Sequence, residues 1–263
     1  MKEIKVTSLD AEEVKLYTKL NEKQIKRIFE PEIGAFICES TRVIERAIAA
    51  GYEPLSFFIE EGMQAEVEDL NLLEDISVYV AEHDVMREIT GYSLTGGVLC
   101  AMRRKPQTDL KAFLSNHKKL VILDDVENPT NVGAVFRSAA ALGADGVILT
   151  PGSADPLYRR AARVSMGTVF QIDWSYADDD WMSLLKEEGY ETIAFALSDD
   201  SVALNEYKKN EKKKAVILGN EDHGISEDTL AACDCTIMIP MQRGVDSLNV
   251  AAASAVAFWE IFG

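Results

Sequence analysis

VILDDVENPTNVGAVFRSAAALGADGVIL, residues 121–149, decides the fold. It opens on an apolar run, breaks at Asn128-Pro129, continues as an alanine-rich segment and ends on a second apolar run after Gly143. Strand, turn, helix and strand in that order make a βαβ unit, whose two strands lie parallel with the helix crossing between them. Both runs are apolar at consecutive positions, as strands must be when helices cover both faces of a sheet.

The rest of the second half repeats this alternation. Strands are expected near 119–123, 147–149, 169–172, 192–197, 215–218 and 236–239. Helices are expected near 132–142, 156–164, 179–188, 226–232 and 247–262. Upstream, a helix is expected over 15–30, with Leu16, Leu20, Ile25, Ile28 and Phe29 on one face and Lys15, Lys19, Lys23, Lys26 and Arg27 on the other. Shorter units follow: strand 35–38, helix 41–50 stopped by Gly51, strands 55–59 and 77–80, helix 84–89 and strand 97–102. Pro106 and the polar burst around it place a boundary near Gln107. The expected organisation is therefore a small α/β domain, 1–107, and a larger α/β domain, 108–263, each of ordinary domain size. The runs 178–180 and 212–214 read as solvated ends.

With 47% hydrophobic and 27% charged residues the chain is a globular protein in composition. No apolar run reaches the roughly 18 residues of a membrane span. MKEIKVTSLDAEEVK mixes its charges and has no apolar core of a leader, so a cytoplasmic location is expected. Cys38, Cys100, Cys233 and Cys235 form no CxxC pair and sit next to no histidine, so reduced thiols and no metal site are expected. The net charge is −17, with 13 basic against 20 acidic residues in 1–108 and 14 against 24 in 109–263. An acidic chain binds nucleic acid only through a focused basic patch, because binding follows local potential rather than the total.

Three clusters carry chemistry. In the first, Gly133 and Arg137 are four apart on the helix after the Asn-Pro turn, so Arg137 would lean over the glycine toward the strand ends, where α/β folds bind ligands. A surface arginine on a packing helix is the plainer alternative. The second is AVILGNEDHGIS, 215–226, a strand breaking at Gly219 into a polar loop. Such a loop offers close approach and backbone donors, though a tight capped turn has the same look. It is no GxGxxG fingerprint, which disfavours a dinucleotide dehydrogenase. The third is TIMIPMQRGVDSLNVAAASAVAFWE, 236–260, a strand, a polar loop and a slim helix that Ser247 can cap.

In this order, NPTNVGAVFR (128–137), LGNE (218–221) and IPM with SLNVAAA (239–241 and 247–253) closely resemble motifs 1, 2 and 3 of the SpoU (TrmH-like) methyltransferases of the SPOUT class. The resemblance covers roughly 119–262. More loosely, CESTRVIERAIAAGYEPLSFFIEE (38–61) resembles the ribosomal-protein-like substrate-binding domain that many members carry.

The resemblance implies a mostly parallel α/β sheet with a deep trefoil knot, an S-adenosyl-L-methionine cofactor, a homodimer, and methylation of a ribose 2'-hydroxyl in RNA, ribosomal RNA ahead of transfer RNA. Carried over by motif, Leu197, Gly219, Ile239, Met241 and Leu248 hold the cofactor. Asn131, Arg137, Glu221, Ser247 and Asn249 form the catalytic group. Arg159, Arg160, Arg163 and Ser165, the last two within RVSMG (163–167), contact RNA, helped by the lysines of 15–27 and by Arg42 and Arg46. Where many members read GNEG this chain reads GNED, so Asp222 puts the local loop conformation in question. Base methylation, and an RNA-binding or ribosome-assembly protein without catalysis, are the competing readings.

Overall fold

The computed structural model describes residues 2–26, 34–72, 76–90, 97–198 and 200–263. The expected helix positions Arg27, Ile28 and Phe29 lie outside them. The chain divides into two compact units, Met1–Pro106 with Leu157–Phe170, and Gln107–Pro156 with Gln171–Gly263.

The first unit holds strands β1 (Lys2–Val6), β2 (Ala35–Glu39), β3 (Pro54–Glu60), β4 (Ser77–Ala81) and β5 (Val98–Arg103) and helices α1 (Lys15–Thr18), α2 (Glu22–Lys26), α3 (Thr41–Ala49), α4 (Gln64–Glu68) and α5 (His83–Thr90). Its sheet runs β1-β4-β3-β5-β2 and is mixed: β1, β4 and β3 are parallel, and β5 is antiparallel to β3 and β2. β1 was not expected, because an edge strand spelled KEIKV is mostly exposed and lacks the apolar signature. The single helix expected over 15–30 is two. Asn21 and Gln24 exchange side-chain-to-backbone bonds of 2.9 and 3.0 Å, a capping box that starts α2 afresh.

Ser40 joins β2 to α3 with φ +80, and its side chain makes no cap bond. A non-glycine residue held there costs on the order of 1–3 kcal/mol. Glycine relieves that strain while adding about 0.5–1 kcal/mol of unfolded-state entropy. Ser40→Gly is therefore expected to stabilise the protein by about 1 kcal/mol, seen as a melting temperature a few degrees higher. An unchanged or lower value would contradict the strain argument.

Helix Arg159–Val164 belongs to this first unit, where it packs on β2. Glu39, 1% exposed, accepts from Arg159 Nε at 2.9 Å and Arg163 Nη1 at 3.0 Å. Ser165 is fully buried. Its hydroxyl donates to Ala162 O at 2.8 Å and accepts from Gly167 N at 3.1 Å, so it closes its own turn. One expectation is corrected here: Ser165 offers no surface to RNA. Arg159 and Arg163 pair with a buried carboxylate while keeping part of their side chains exposed, and Arg160 is exposed. The strand expected at 169–172 is also absent. Phe170 instead packs against Phe36 and Tyr52, with ring centroids 5.8 and 5.2 Å away.

The second unit adds β6 (Lys119–Leu123), β7 (Gly146–Leu149), β8 (Asp173–Tyr176), β9 (Tyr190–Phe195), β10 (Val202–Ala203), β11 (Lys213–Leu218) and β12 (Cys235–Met238). Its helices are α6 (Leu110–Asn116), α7 (Pro129–Ala141), α9 (Trp181–Glu187), α10 (Glu227–Ala232) and α11 (Val250–Phe262), the number α8 falling to Arg159–Val164. The sheet runs β10-β12-β9-β11-β6-β7-β8 with every pairing parallel. β8, DWSY, is an edge strand and only partly buried, which is why apolarity did not reveal it. α6 starts at Asp109, whose side chain accepts from Ala112 N at 3.0 Å.

The run 212–214 is not simply a solvated end. Lys214 is 5% exposed and bonds Glu191, its register partner on β9. Burial pushes the Glu191 carboxyl up, but hydrogen bonds from Lys214, Tyr207 and Asn210 outweigh it and hold the group below the usual carboxylate range. A carboxyl depressed on folding stabilises above its ordinary value of about 4.3, and that stabilisation is lost as pH falls through the depressed value. Glu191→Gln is accordingly expected to flatten the acid side of a stability-versus-pH curve and to lower stability at neutral pH. Parallel curves for variant and wild type would remove this linkage.

Candidate active site

Four strands of the second sheet end level. Leu123 of β6 stands beside Leu218 of β11, Leu218 beside Phe195 of β9, and Phe195 beside Ile237 of β12. The chain builds outward from β6 through β7 and β8, then resumes on the other side, so β6 and β11 flank the reversal of strand order. Loops leaving a parallel sheet at such a point are where α/β folds bind ligands.

A cleft of about 510 Å³ opens there, lined by 195–197, 218–225, 237–239 and 246–250 together with Met241 and Ala253. That volume suits a small organic ligand. Leu197, Gly219, Ile239, Met241 and Leu248 all line it, as do Glu221, Ser247 and Asn249. Leu197 and Leu248 remain 56% and 40% exposed, an apolar surface left open to the cleft. Its charged lining is acidic, Glu221, Asp222 and Asp246, with no lysine or arginine.

The three motifs are tied to one another by side chains. Glu221 accepts from Asn131 Nδ2 at 2.7 Å and from the backbone N–H groups of Glu127 and Asn128 at 3.3 Å each. Asn249 Nδ2 donates to Asn131 Oδ1 at 3.2 Å, and Asn249 Oδ1 caps α11 by accepting from Ala251 N at 2.9 Å. Each amide in this series uses its nitrogen on one neighbour and its oxygen on the next, so both orientations are fixed by the network. At the other end Pro129 fills the first turn of α7, and Asn128 caps it by accepting from Thr130 N at 2.9 Å.

Two residues of the scaffold were not singled out from sequence. Asn220, 8% exposed, donates to Asp125 O at 2.8 Å and accepts from the N–H groups of Asp222 and His223 at 2.8 and 3.3 Å. Asn directly after a strand-ending glycine was its available signal. Asp124 lies beneath the same loop. Burial and the neighbouring Asp125 push its carboxyl up, partly offset by the Thr229 and Thr150 hydroxyls and the Ser226 N–H.

Gly219 is required by the loop itself: a Cβ there would come within 2.4 Å of Gly224 C and 2.5 Å of Ile225 N. The close approach expected of a ligand is thus already made by the returning main chain. Asp222 is not among the residues with positive φ, so its replacement of a glycine imposes no strain.

Asn131 and Arg137 are both outside the cleft lining, but Asn131 is buried and tied to it through Glu221 and Asn249, whereas Arg137 makes no such link among the described residues. Gly133 is buried and Arg137 exposed on α7, and the guanidinium is not part of its own chain's cleft lining. Spacing of four therefore does not carry Arg137 over Gly133 into this cleft.

The fold and site are thus a parallel α/β sheet with an acidic and apolar cleft of small-ligand size at its switch point. Residues 118–259 match the SpoU rRNA Methylase family. An uncharacterized tRNA/rRNA methyltransferase of Mycobacterium bovis is 36% identical over 85% of this chain and 79% of its own length. The 23S rRNA (guanosine(2553)-2'-O)-methyltransferase RlmP of Bacillus subtilis is 26% identical over 98% of this chain and 99% of its own. The AdoMet-bound rRNA methyltransferase of Sinorhizobium meliloti has the same fold, with a TM-score of 0.83 at 23% identity, covering 98% of this chain and 97% of the other. The chain belongs to the SpoU rRNA methylase family and is an S-adenosylmethionine-dependent RNA methyltransferase.

Proposed function

We propose that this enzyme methylates a ribose 2'-hydroxyl of ribosomal RNA, working as a cytoplasmic homodimer. The observation that carries the reading is the Glu221–Asn131–Asn249 chain, which brings all three motifs together beside one cleft. The cleft fits the cofactor: its apolar side chains suit the adenosyl and methionyl parts, and its carboxylates suit a cationic sulfur. Leu197, Gly219, Ile239, Met241 and Leu248 would hold it. When bound, S-adenosylmethionine supplies a methyl group already activated by the positive sulfur, so the protein's task is largely alignment.

In this reading Glu221 and Asn131 hold the β11–α10 loop against the start of α7, and Ser247 and Asn249 shape the opposite wall. Arg137 holds an RNA phosphate with its planar fork and polarises the hydroxyl. Because Arg137 lies outside its own cleft, it completes the site of a second copy. Val256 and Trp259, 41% and 71% exposed on α11 beside α7, form an apolar stripe that such a copy would cover. The return of the chain from β12 through α11, which packs on α7, is the passage read as the deep trefoil knot. No helix of the described residues is long and apolar enough to cross a membrane.

The test is to incubate the enzyme with methyl-labelled cofactor and ribosomal or transfer RNA, then digest the product to nucleosides. A 2'-O-methylnucleoside from ribosomal RNA is the expected product. Label on a base, or on transfer RNA alone, would replace this reading, and absence of cofactor binding by calorimetry would point to a non-catalytic RNA-binding protein.

RNA binding should also depend steeply on salt despite the net charge, because phosphate contacts release counterions. Arg137 and Arg160 are the proposed contacts, with Arg42 helping. Lys15 and Lys19 are each within 3.3 Å of a carboxylate, on Glu12 and Asp10, and contribute less. Affinity that changes little between about 50 and 200 mM salt would remove the basic-patch explanation.

A further inference from the structure

The reaction leaves one proton unassigned. As the ribose oxygen bonds to the methyl carbon, the carbon–sulfur bonding pair stays on sulfur as a neutral thioether, and the hydroxyl proton must pass to a base. The groups lining the cleft narrow the choice. Both oxygens of Glu221 already accept N–H bonds, and Asn249 is spent on Asn131 and Ala251. Arginine stays protonated in proteins and is a costly acceptor. Carboxylates are, as a class, weaker bases than imidazole.

One histidine lines the cleft. The other two are bound elsewhere, His83 to Glu60 at 3.0 Å and His117 to Phe113 O and Asp173 at 2.6 and 3.2 Å. His223 is exposed in the cleft wall, and its ring makes no hydrogen bond to the described residues. Its backbone is fixed nonetheless. Asn220 Oδ1 accepts from His223 N, and Asn220 and Gly224 pair through both of their backbone groups at 3.0 and 3.1 Å. An imidazole in the cleft wall with no bond to the described residues is open to a proton from a group bound in the cleft.

We propose that His223 is a catalytic residue, the general base that takes the ribose proton during methyl transfer and returns it to solvent as the products leave. The proposal rests on the ribose reading above. The other charged groups lining the cleft are Glu221 and Asp222 on the same loop and Asp246 on the loop after β12.

The experiment measures single-turnover methyl transfer at saturating cofactor, across pH, for wild type, His223→Ala and His223→Gln. Both variants are expected to lose 30-fold or more at neutral pH and to lose the wild-type fall in rate on the acid side. Added imidazole should restore part of the rate in His223→Ala, an outcome a purely structural role would not produce. A rate within threefold of wild type in either variant, or no rescue by imidazole, overturns the proposal. Nucleoside analysis of the wild-type product separates this from failure of the ribose reading, which would show as no 2'-O-methyl product even with His223 in place.

Discussion

Arg137→Ala is expected to leave S-adenosylmethionine binding intact while methyl transfer falls by 100-fold or more, on the order of 3 kcal/mol of transition-state stabilisation. The two effects separate because the exposed guanidinium is not among the cleft-lining groups of its own chain. A residue that completes the site in a second copy has a further signature. Mixed dimers of Arg137→Ala chains with Glu221→Ala chains each contain one site with both side chains intact, so mixing two inactive variants should recover part of the activity. Near wild-type turnover in Arg137→Ala alone would remove Arg137 from the catalytic group. Failure of the mixture, with exchange of subunits verified, would return the residue to its own chain's site.

Glu39→Gln is expected to destabilise the first unit by about 3 kcal/mol, because breaking a buried ion pair leaves the remaining charge uncompensated. Glu39 is 1% exposed, and Arg159 and Arg163 converge on it at 2.9 and 3.0 Å. The arginine side chains retain 23% and 33% of their exposure, which keeps the effect toward the lower end of the range for buried pairs. Denaturant unfolding reads the loss as a lower midpoint with little change of slope. A double-mutant cycle with Arg163→Gln should show coupling above about 1 kcal/mol. Additive losses would mean that the three charges are neighbours without being partners. The same carboxylate opposes part of the charge these arginines would offer to RNA.

Much of the second unit was readable because parallel strands buried on both faces are spelled in consecutive apolar residues, as in KLVIL and KKAVIL. Edge strands escape this rule. β1 and β8 are partly exposed and are interrupted by charged or hydroxyl-bearing residues. Val169 and Phe170 were apolar for a different reason, Phe170 belonging to an aromatic cluster with Phe36 and Tyr52. Sequence named the residue types of the site but not their pairing. Asn131 lies 90 positions from Glu221 and 118 from Asn249, and no local pattern links residues so far apart. Arg159, Arg163 and Ser165 were expected at the RNA through the family resemblance, the last two within RVSMG. Their actual partners, a distant glutamate and the turn's own backbone, are tertiary facts.

The loop after β11 keeps its shape through the bare α-carbon of Gly219, the returning main chain at Gly224 and the amide of Asn220. Asp222 and His223, at its tip, contribute only backbone N–H groups to that frame. Their side chains can be exchanged at little folding cost, so a scaffold of this kind can acquire new proton acceptors or substrate preferences at two adjacent positions while its architecture stays as it is.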